Sequence, residues 1–319
     1  MQIIWVQAKN IFRYEQIMEE FMLAPVTEIF CEIDDFCKLF YDNQSVLYLP
    51  KPDCVGHSRR ESTLSISEII TIQILFQLSH YRTFKDFYDG CLLRELRGYF
   101  PKFISYNRFT AIQSSVIPLL LAFMLTKTGK QTGIYYIDAT ALKVCNNRRI
   151  HSHKVFKDIA KRGKTSMGWF FGFKLHLVVN HLGKIMAFQL TAGNVDDRVP
   201  VKELLKNLIG MAAGDRGYIK KGLAEYLQKF GLNFLTKIKK NMKEKIFSPF
   251  EKMVLKGRGI IKTIFDQLKA ICQIEHTRHR KPDNFIANLL SGLIAYTLRP
   301  RKPKILQKHL NSSMKFIQS

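Results

Sequence analysis

The chain has 319 residues, enough for one large domain or two ordinary ones, and 46% of them are apolar, so a packed core is expected rather than disorder. Fifty Lys and Arg against 26 Asp and Glu give a formal charge of +24, which favours nucleic acid as the partner over an anionic membrane or a ribosomal neighbourhood. The cysteines (Cys31, Cys37, Cys54, Cys91, Cys145 and Cys272) lack zinc-site spacing, no apolar run is long enough to span a bilayer and no secretory leader is visible, so a cytoplasmic protein with reduced thiols and no membrane attachment is expected.

Residues 1–50 read as helical; Val26, Ile29, Phe30, Ile33, Phe36 and Leu39 fall at near-helical spacing. Residues 43–63 contain Pro50, Pro52 and Gly56 and end in Arg59 and Arg60, which predicts a loop. Ser65 followed by Glu68 is a capping-box pattern for a helix over 65–78. Further helices are expected over 83–96 and 105–125, with Pro118 near a kink. Basic residues recur along them, among them Arg82, Lys85, Arg94 and Arg108. Residues 1–130 are therefore expected to form a helical DNA-binding region; a plain bundle with a solvated basic face is the alternative.

After Gly133 the period changes. Residues 134–137 are a short apolar strand ending at Asp138, and 169–180 alternate with Phe171, Phe173, Leu175, Leu177 and Val179 on one face. A turn at His181-Leu182-Gly183 leads to a strand over 184–190. Helix 200–209, strand 211–213, helix 221–230, strand 232–238 and an amphipathic helix over 260–272 follow. This order predicts an α/β fold: an RNase H-like mixed sheet flanked by helices over 131–298, behind the all-helical N-terminal region. Residues 299–319 hold Arg299, Arg301, Lys302, Lys304, Lys308 and Lys315 with no acid, a basic tail suited to touching DNA.

Two acids stand at expected strand ends, Asp138 in Y-Y-I-D-A-T and Asp215 in A-A-G-D-R-G-Y. A carboxylate beside a buried strand is costly unless it is paired, capped or metal-bound. Each alone reads equally well as a turn residue. Together, on adjacent central strands, they form a candidate divalent-cation site of the kind phosphodiester chemistry uses.

The segments Y-I-D-A-T, R-G-K-T-S-M-G-W-F-F-G-F-K-L-H-L, G-N-V-D-D-R, G-D-R-G-Y-I and I-E-H-T-R-H-R resemble bacterial insertion-sequence transposases with a DDE domain. The N-terminal C-E-I-D-D-F-C-K, Y-R-T-F-K-D-F-Y and S-Y-N-R-F-T resemble the helical region of the same family, so the likeness runs from Val26 to Lys304. It implies Mg2+, or Mn2+ in its place, held by Asp138 and Asp215 as catalytic and metal-binding residues. It also implies DNA partners at element ends and target sites, and a homo-oligomer that bridges two ends. The family's third acid is a Glu on the last core helix. The matching stretch here is Ile261-Lys262-Thr263-Ile264-Phe265-Asp266-Gln267-Leu268-Lys269, with Lys262 in the acid's place. A protonated lysine cannot ligate Mg2+, so a catalytically defective copy that only binds DNA is the alternative reading. Asp266, one turn on, is the alternative third acid, but it is shorter and about 6 Å displaced along the axis, so rescue by it is not expected. A host nuclease of RNase H type is a third, weaker reading.

Between the first two strands Arg148, Arg149, Lys154, Arg162 and Lys164, with His151, His153 and Lys161 among them, suggest contact with the DNA backbone; a solvated charged loop is the alternative. Asp196 and Asp197 read as turn and helix-capping residues. His276, Arg278, His279 and Arg280 are expected to extend the last helix, which would put Glu275 about 20 Å beyond Lys262.

Overall fold

The computed structural model describes residues 26–44, 63–100, 102–237, 246–275 and 279–305. The expectations for residues 1–25, most of the 43–63 loop, His276, Arg278, Lys308 and Lys315 lie outside them. The chain forms two compact units, one of which takes its helices from both ends of the sequence.

The helical unit begins with α1 (Val26–Gln44) and α2 (Ile66–Leu78). Ser65 Oγ accepts from the Glu68 N–H and the Glu68 carboxylate accepts from the Ser65 N–H, so the expected capping box is present. Next come α3 (Phe84–Asp86), capped by Thr83 and running into a π-helical stretch (Phe87–Glu95), then α4 (Tyr106–Ile112), a 3-10 turn (Gln113–Val116) and α5 (Ile117–Thr126). Pro118 lacks the N–H that would continue the α4 ladder, and the expected kink takes the form of that tighter turn. By length and composition Tyr106–Thr126 is apolar enough to cross a membrane. Leu119, Leu120, Phe123 and Met124 are buried within the unit, and the Phe123 ring lies 5.1 Å from that of Phe36 on α1, while Leu121 and Leu125 are exposed.

The last helix, Pro282–Leu298, also belongs to this unit and packs on α2 and α5. Gln77 Nε2 donates to Asn288 Oδ1 (2.6 Å), and Asn284 Nδ2 donates to the Thr110 carbonyl (3.0 Å). The sequence reading grouped this helix with the α/β segment. A helix buried on nearly every face carries no apolar stripe that names its partner.

The α/β unit contains β1 (Ile134–Cys145), β2 (Lys161–Thr165), β3 (Gly168–Asn180), β4 (Ile185–Ala192), α6 (Val201–Leu205), β5 (Gly210–Gly214), α7 (Leu223–Gln228), β6 (Leu232–Thr236), α8 (Pro249–Gly257) and α9 (Gly259–Ala270). Among the described residues the sheet has six strands in the order β2-β3-β1-β5-β6, with β4 also paired to β3. β1, β3 and β4 run antiparallel, and β5 and β6 add in parallel to β1. This is the mixed α/β architecture that the element order predicts. One sheet face carries Tyr135, Ile137 and Val178 and is sealed by Val201, Leu204 and Leu205 of α6 and by α7. Strand alternation turns Tyr136, Asp138 and Thr140 to the other face, and α8 and α9 pack against β1, β5 and β6.

Three local expectations change. β1 does not end at Asp138 but continues to Cys145, pairing with β3 throughout, so Asp138 lies within the strand opposite Leu177. Its second half alternates with Thr140 and Lys143, which hid it from an apolar-run reading. β2 is an unforeseen hairpin partner for the first residues of β3; its sequence, K-R-G-K-T, has no apolar alternation to betray it. The amphipathic helix stops at Ala270, and Gln273 takes a positive φ of 43°, so His279 and Arg280 do not extend it.

Candidate active site

The parallel register pairs Ile134 with Met211, Tyr135 with Ala212 and Tyr136 with Ala213. Two further steps along both strands bring Asp138 level with Asp215, on strands roughly 4.8 Å apart. The two acids expected to meet are thus neighbours on the face towards α8 and α9.

Their environments differ. Asp138 is half-buried and accepts a 2.9 Å hydrogen bond from the Ala139 N–H. Burial pushes its pKa up to about 6, the neighbouring Asp215 charge adds to the rise, and Ala139, Arg258 and Lys262 oppose it. Asp215 is exposed. Partial burial would raise its carboxyl, but the Arg216 N–H, the Arg258 guanidinium and Lys262 hold it below the ordinary carboxylate value.

The cations come from the helices. Arg258, between α8 and α9, donates from Nη1 to Asp215 Oδ1 at 2.6 Å and to the Gly214 carbonyl at 3.1 Å. Lys262 lies four residues on, in α9, and its charge acts on both acids. The ion pair belongs to Arg258, which the sequence reading did not single out. Tyr218 was also missed. It is buried beneath the acids; its hydroxyl has no hydrogen-bond partner, and burial with the charges of Asp138, Asp197 and Asp215 pushes its pKa up.

A two-metal centre needs several converging oxygen ligands. Among the described residues no group of three or more His, Cys, Asp or Glu is placed to hold a metal ion. Asp266 is exposed on α9 and does not join the pair. Glu275 returns because the helix breaks: its Oε2 lies 3.1 Å from Lys269 Nζ, which also donates to the Ala141 carbonyl of β1. It is there engaged by a lysine. Asp196 accepts from the Arg198 N–H and guanidinium, a turn role; Asp197 pairs with Lys174 at 2.9 Å. Neither caps α6, whose N-terminus is at Pro200. The residues present do not fit a two-metal centre: two acids converge, one of them is paired to arginine, and the charge of Lys262 acts on both.

Arg148, Arg149, Lys154, Arg162 and Lys164 are all exposed. The first two stand on a 3-10 turn (Asn147–Arg149) whose Asn147 Nδ2 donates to the Trp169 carbonyl at 2.8 Å. Arg162 and Lys164 stand on β2, across from β3. The segment is anchored by Phe156, fully buried against Phe173, with His153 stacked on Phe156. His153 is therefore a packing residue, and burial lowers its pKa.

Residues 128–282 match a family model described as a transposase DDE domain. The matched span contains all six strands, both acids, Arg258 and Lys262. The chain is also similar to a solved structure, the cryo-EM structure of piggyBac transposase in a synaptic complex with hairpin DNA, at 13% identity and a TM-score of 0.44, covering 95% of this chain and 85% of that one. No curated protein matches the sequence.

Proposed function

We propose that this protein is a transposase acting in DNA transposition, that it binds the ends of a bacterial insertion sequence in the cytoplasm, and that its strand-cutting step is impaired. The observation that carries the proposal is the charge arrangement within a DDE-type domain: Asp138 and Asp215 stand side by side, and Arg258 and Lys262 face them where a third acid is required. DNA binding is supported by the +24 charge and by the exposed Arg148, Arg149, Lys154, Arg162 and Lys164.

Divalent metal, Mg2+ or Mn2+, would supply the activated oxygen nucleophile and the leaving-group charge in such domains. Here Arg258 holds Asp215, and Lys262 offers an exposed ammonium that attracts a DNA phosphate and repels a metal ion. The site is thus suited to docking the backbone and poorly suited to cutting it.

The test uses DNA carrying the terminal inverted repeats that flank the reading frame, with Mg2+ or Mn2+, comparing wild type with Lys262→Glu. Gel-shift binding by both and cutting only by Lys262→Glu is expected. Equal cutting by both would remove the impairment and leave an ordinary metal-dependent transposase, the second reading, which the adjacency of the two acids favours. Failure to bind end DNA would remove the transposase reading itself. The bridging of two ends by a multimer belongs to the same proposal, and sedimentation of the end complex tests it.

A further inference from the structure

We propose that Trp169 is a stacking platform for an unpaired DNA base, with Arg162 and Lys164 holding the adjoining phosphates. This rests on the DNA-binding reading above and adds to it the kind of DNA contacted at one place.

The β2–β3 hairpin is two-faced. Its inner side carries Gly163 and Phe170, both buried. A Cβ on Gly163 would stand 2.1 Å from the Gly193 carbonyl oxygen, so the inner side is packed as tightly as backbone allows. Alternation then sends Arg162, Lys164 and Trp169 outward. Lys164 is the direct cross-strand partner of Trp169. Arg162 Cζ lies 5.0 Å, and Lys164 Nζ 5.7 Å, from the indole centre, within cation–π range.

Trp169 is nevertheless 51% exposed, and Met167 at the hairpin turn is 91% exposed. Fully burying a large apolar side chain gains about 2 kcal/mol or more, which this hairpin forgoes. Asn147 ties the Trp169 backbone to the turn bearing Arg148 and Arg149. The result is a half-exposed aromatic ring flanked by two cations, Arg162 and Lys164.

That combination selects its ligand by chemistry. A duplex offers phosphates to the cations, but its bases are stacked on one another and have no face to spare. An unpaired nucleotide offers both a phosphate and a free base face, and aromatic stacking of that kind tolerates any base. A basic, aromatic finger of this type suits a frayed or single-stranded DNA end.

Trp5 and Trp169 are the only tryptophans in the sequence, so a Trp5→Phe protein reports on Trp169 alone. Binding of fluorescein-labelled oligothymidylate is followed by anisotropy, and Trp169 emission is read with unlabelled oligothymidylate. The expected result is quenching at saturation, weakening by about 5- to 100-fold in Trp169→Ala, and retention of most affinity in Trp169→Phe. A duplex of equal length should lose less affinity than oligothymidylate does. Circular dichroism and thermal melts of each variant confirm folding. Oligothymidylate binding with unchanged emission and an unchanged Trp169→Ala affinity would overturn the stacking role and leave the DNA reading intact. No binding of either DNA would overturn the DNA reading and this inference with it. Binding to anionic vesicles in place of DNA would assign the finger to a membrane surface and likewise overturn it.

Discussion

Arg258 Nη1 stands 2.6 Å from Asp215 Oδ1, so the carboxylate proposed as a metal ligand already has a cation supplied by the chain. The pair is anchored from below by the second bond of Arg258 to the Gly214 carbonyl. Asp215 is more than half exposed, which limits the pair's worth to stability while leaving its effect on metal binding intact.

Arg258→Ala should therefore cost less than about 1 kcal/mol in thermal or denaturant melts. Combined with Lys262→Glu it should bind Mn2+ more tightly by calorimetry than Lys262→Glu alone. Identical Mn2+ affinity in the single and double variants would show that Arg258 does not compete with metal.

The pH dependence of stability should contain two opposed contributions. Burial lowers the pKa of His176 to about 4, against an unfolded value near 6.5; its stabilisation is present above that unfolded value and is lost as pH falls towards 4. Burial raises Asp138 to about 6, against about 3.9 unfolded; its contribution is fully present below the unfolded value and lost as pH rises through 6. Each amounts to roughly 3 kcal/mol, and over the shared window they offset. His176→Gln should make the protein more acid-resistant and Asp138→Asn more acid-sensitive, relative to wild type, in melts taken across that range. Parallel profiles for all three proteins would contradict the assignment.

Gly163→Ala should be among the most disruptive single-methyl additions in the α/β unit. The added carbon would meet the Gly193 carbonyl at 2.1 Å, which forces β2 away from the end of β4. A loss of about 1–3 kcal/mol is expected, with weaker DNA binding because Arg162 and Lys164 move with the strand. Differential scanning calorimetry and the gel-shift assay read the two effects separately. Wild-type behaviour in both would argue that the two backbones part at no cost.

Tyr218→Phe should be neutral or stabilising by up to about 1 kcal/mol, because it removes a buried hydroxyl that has no partner. Urea melts measure this. A clear loss of stability would mean that the hydroxyl is satisfied in the folded protein and is part of the acid cluster's bonding.

The sheet was legible in the sequence where its strands are buried on both faces. Residues 134–137 and 211–213 are apolar runs, and the adjacency of Asp138 and Asp215 followed from them. Ser65 and Glu68 announced α2 by the same side-chain chemistry that caps it. What escaped was the far half of β1, where Thr140 and Lys143 interrupt the apolar run, and the polar β2; both are held by ladder hydrogen bonds, to which the side-chain pattern is blind. Arg258 escaped for another reason. Its role depends on a turn between α8 and α9 that aims a side chain back at β5, and no local spacing encodes that aim. Lys262 was conspicuous only because a resemblance supplied the acid that it replaces.

The last helix, Pro282–Leu298, completes a unit whose other described helices begin at Val26. The first helices to leave the ribosome must therefore wait, with part of their apolar surface uncovered, until nearly the whole chain has been made. A premature stop before Pro282 would spare the span that matches the DDE domain and orphan the helical unit. Truncated products of this gene should accordingly be cleared or aggregate through their amino-terminal helices, even though the α/β segment itself is intact.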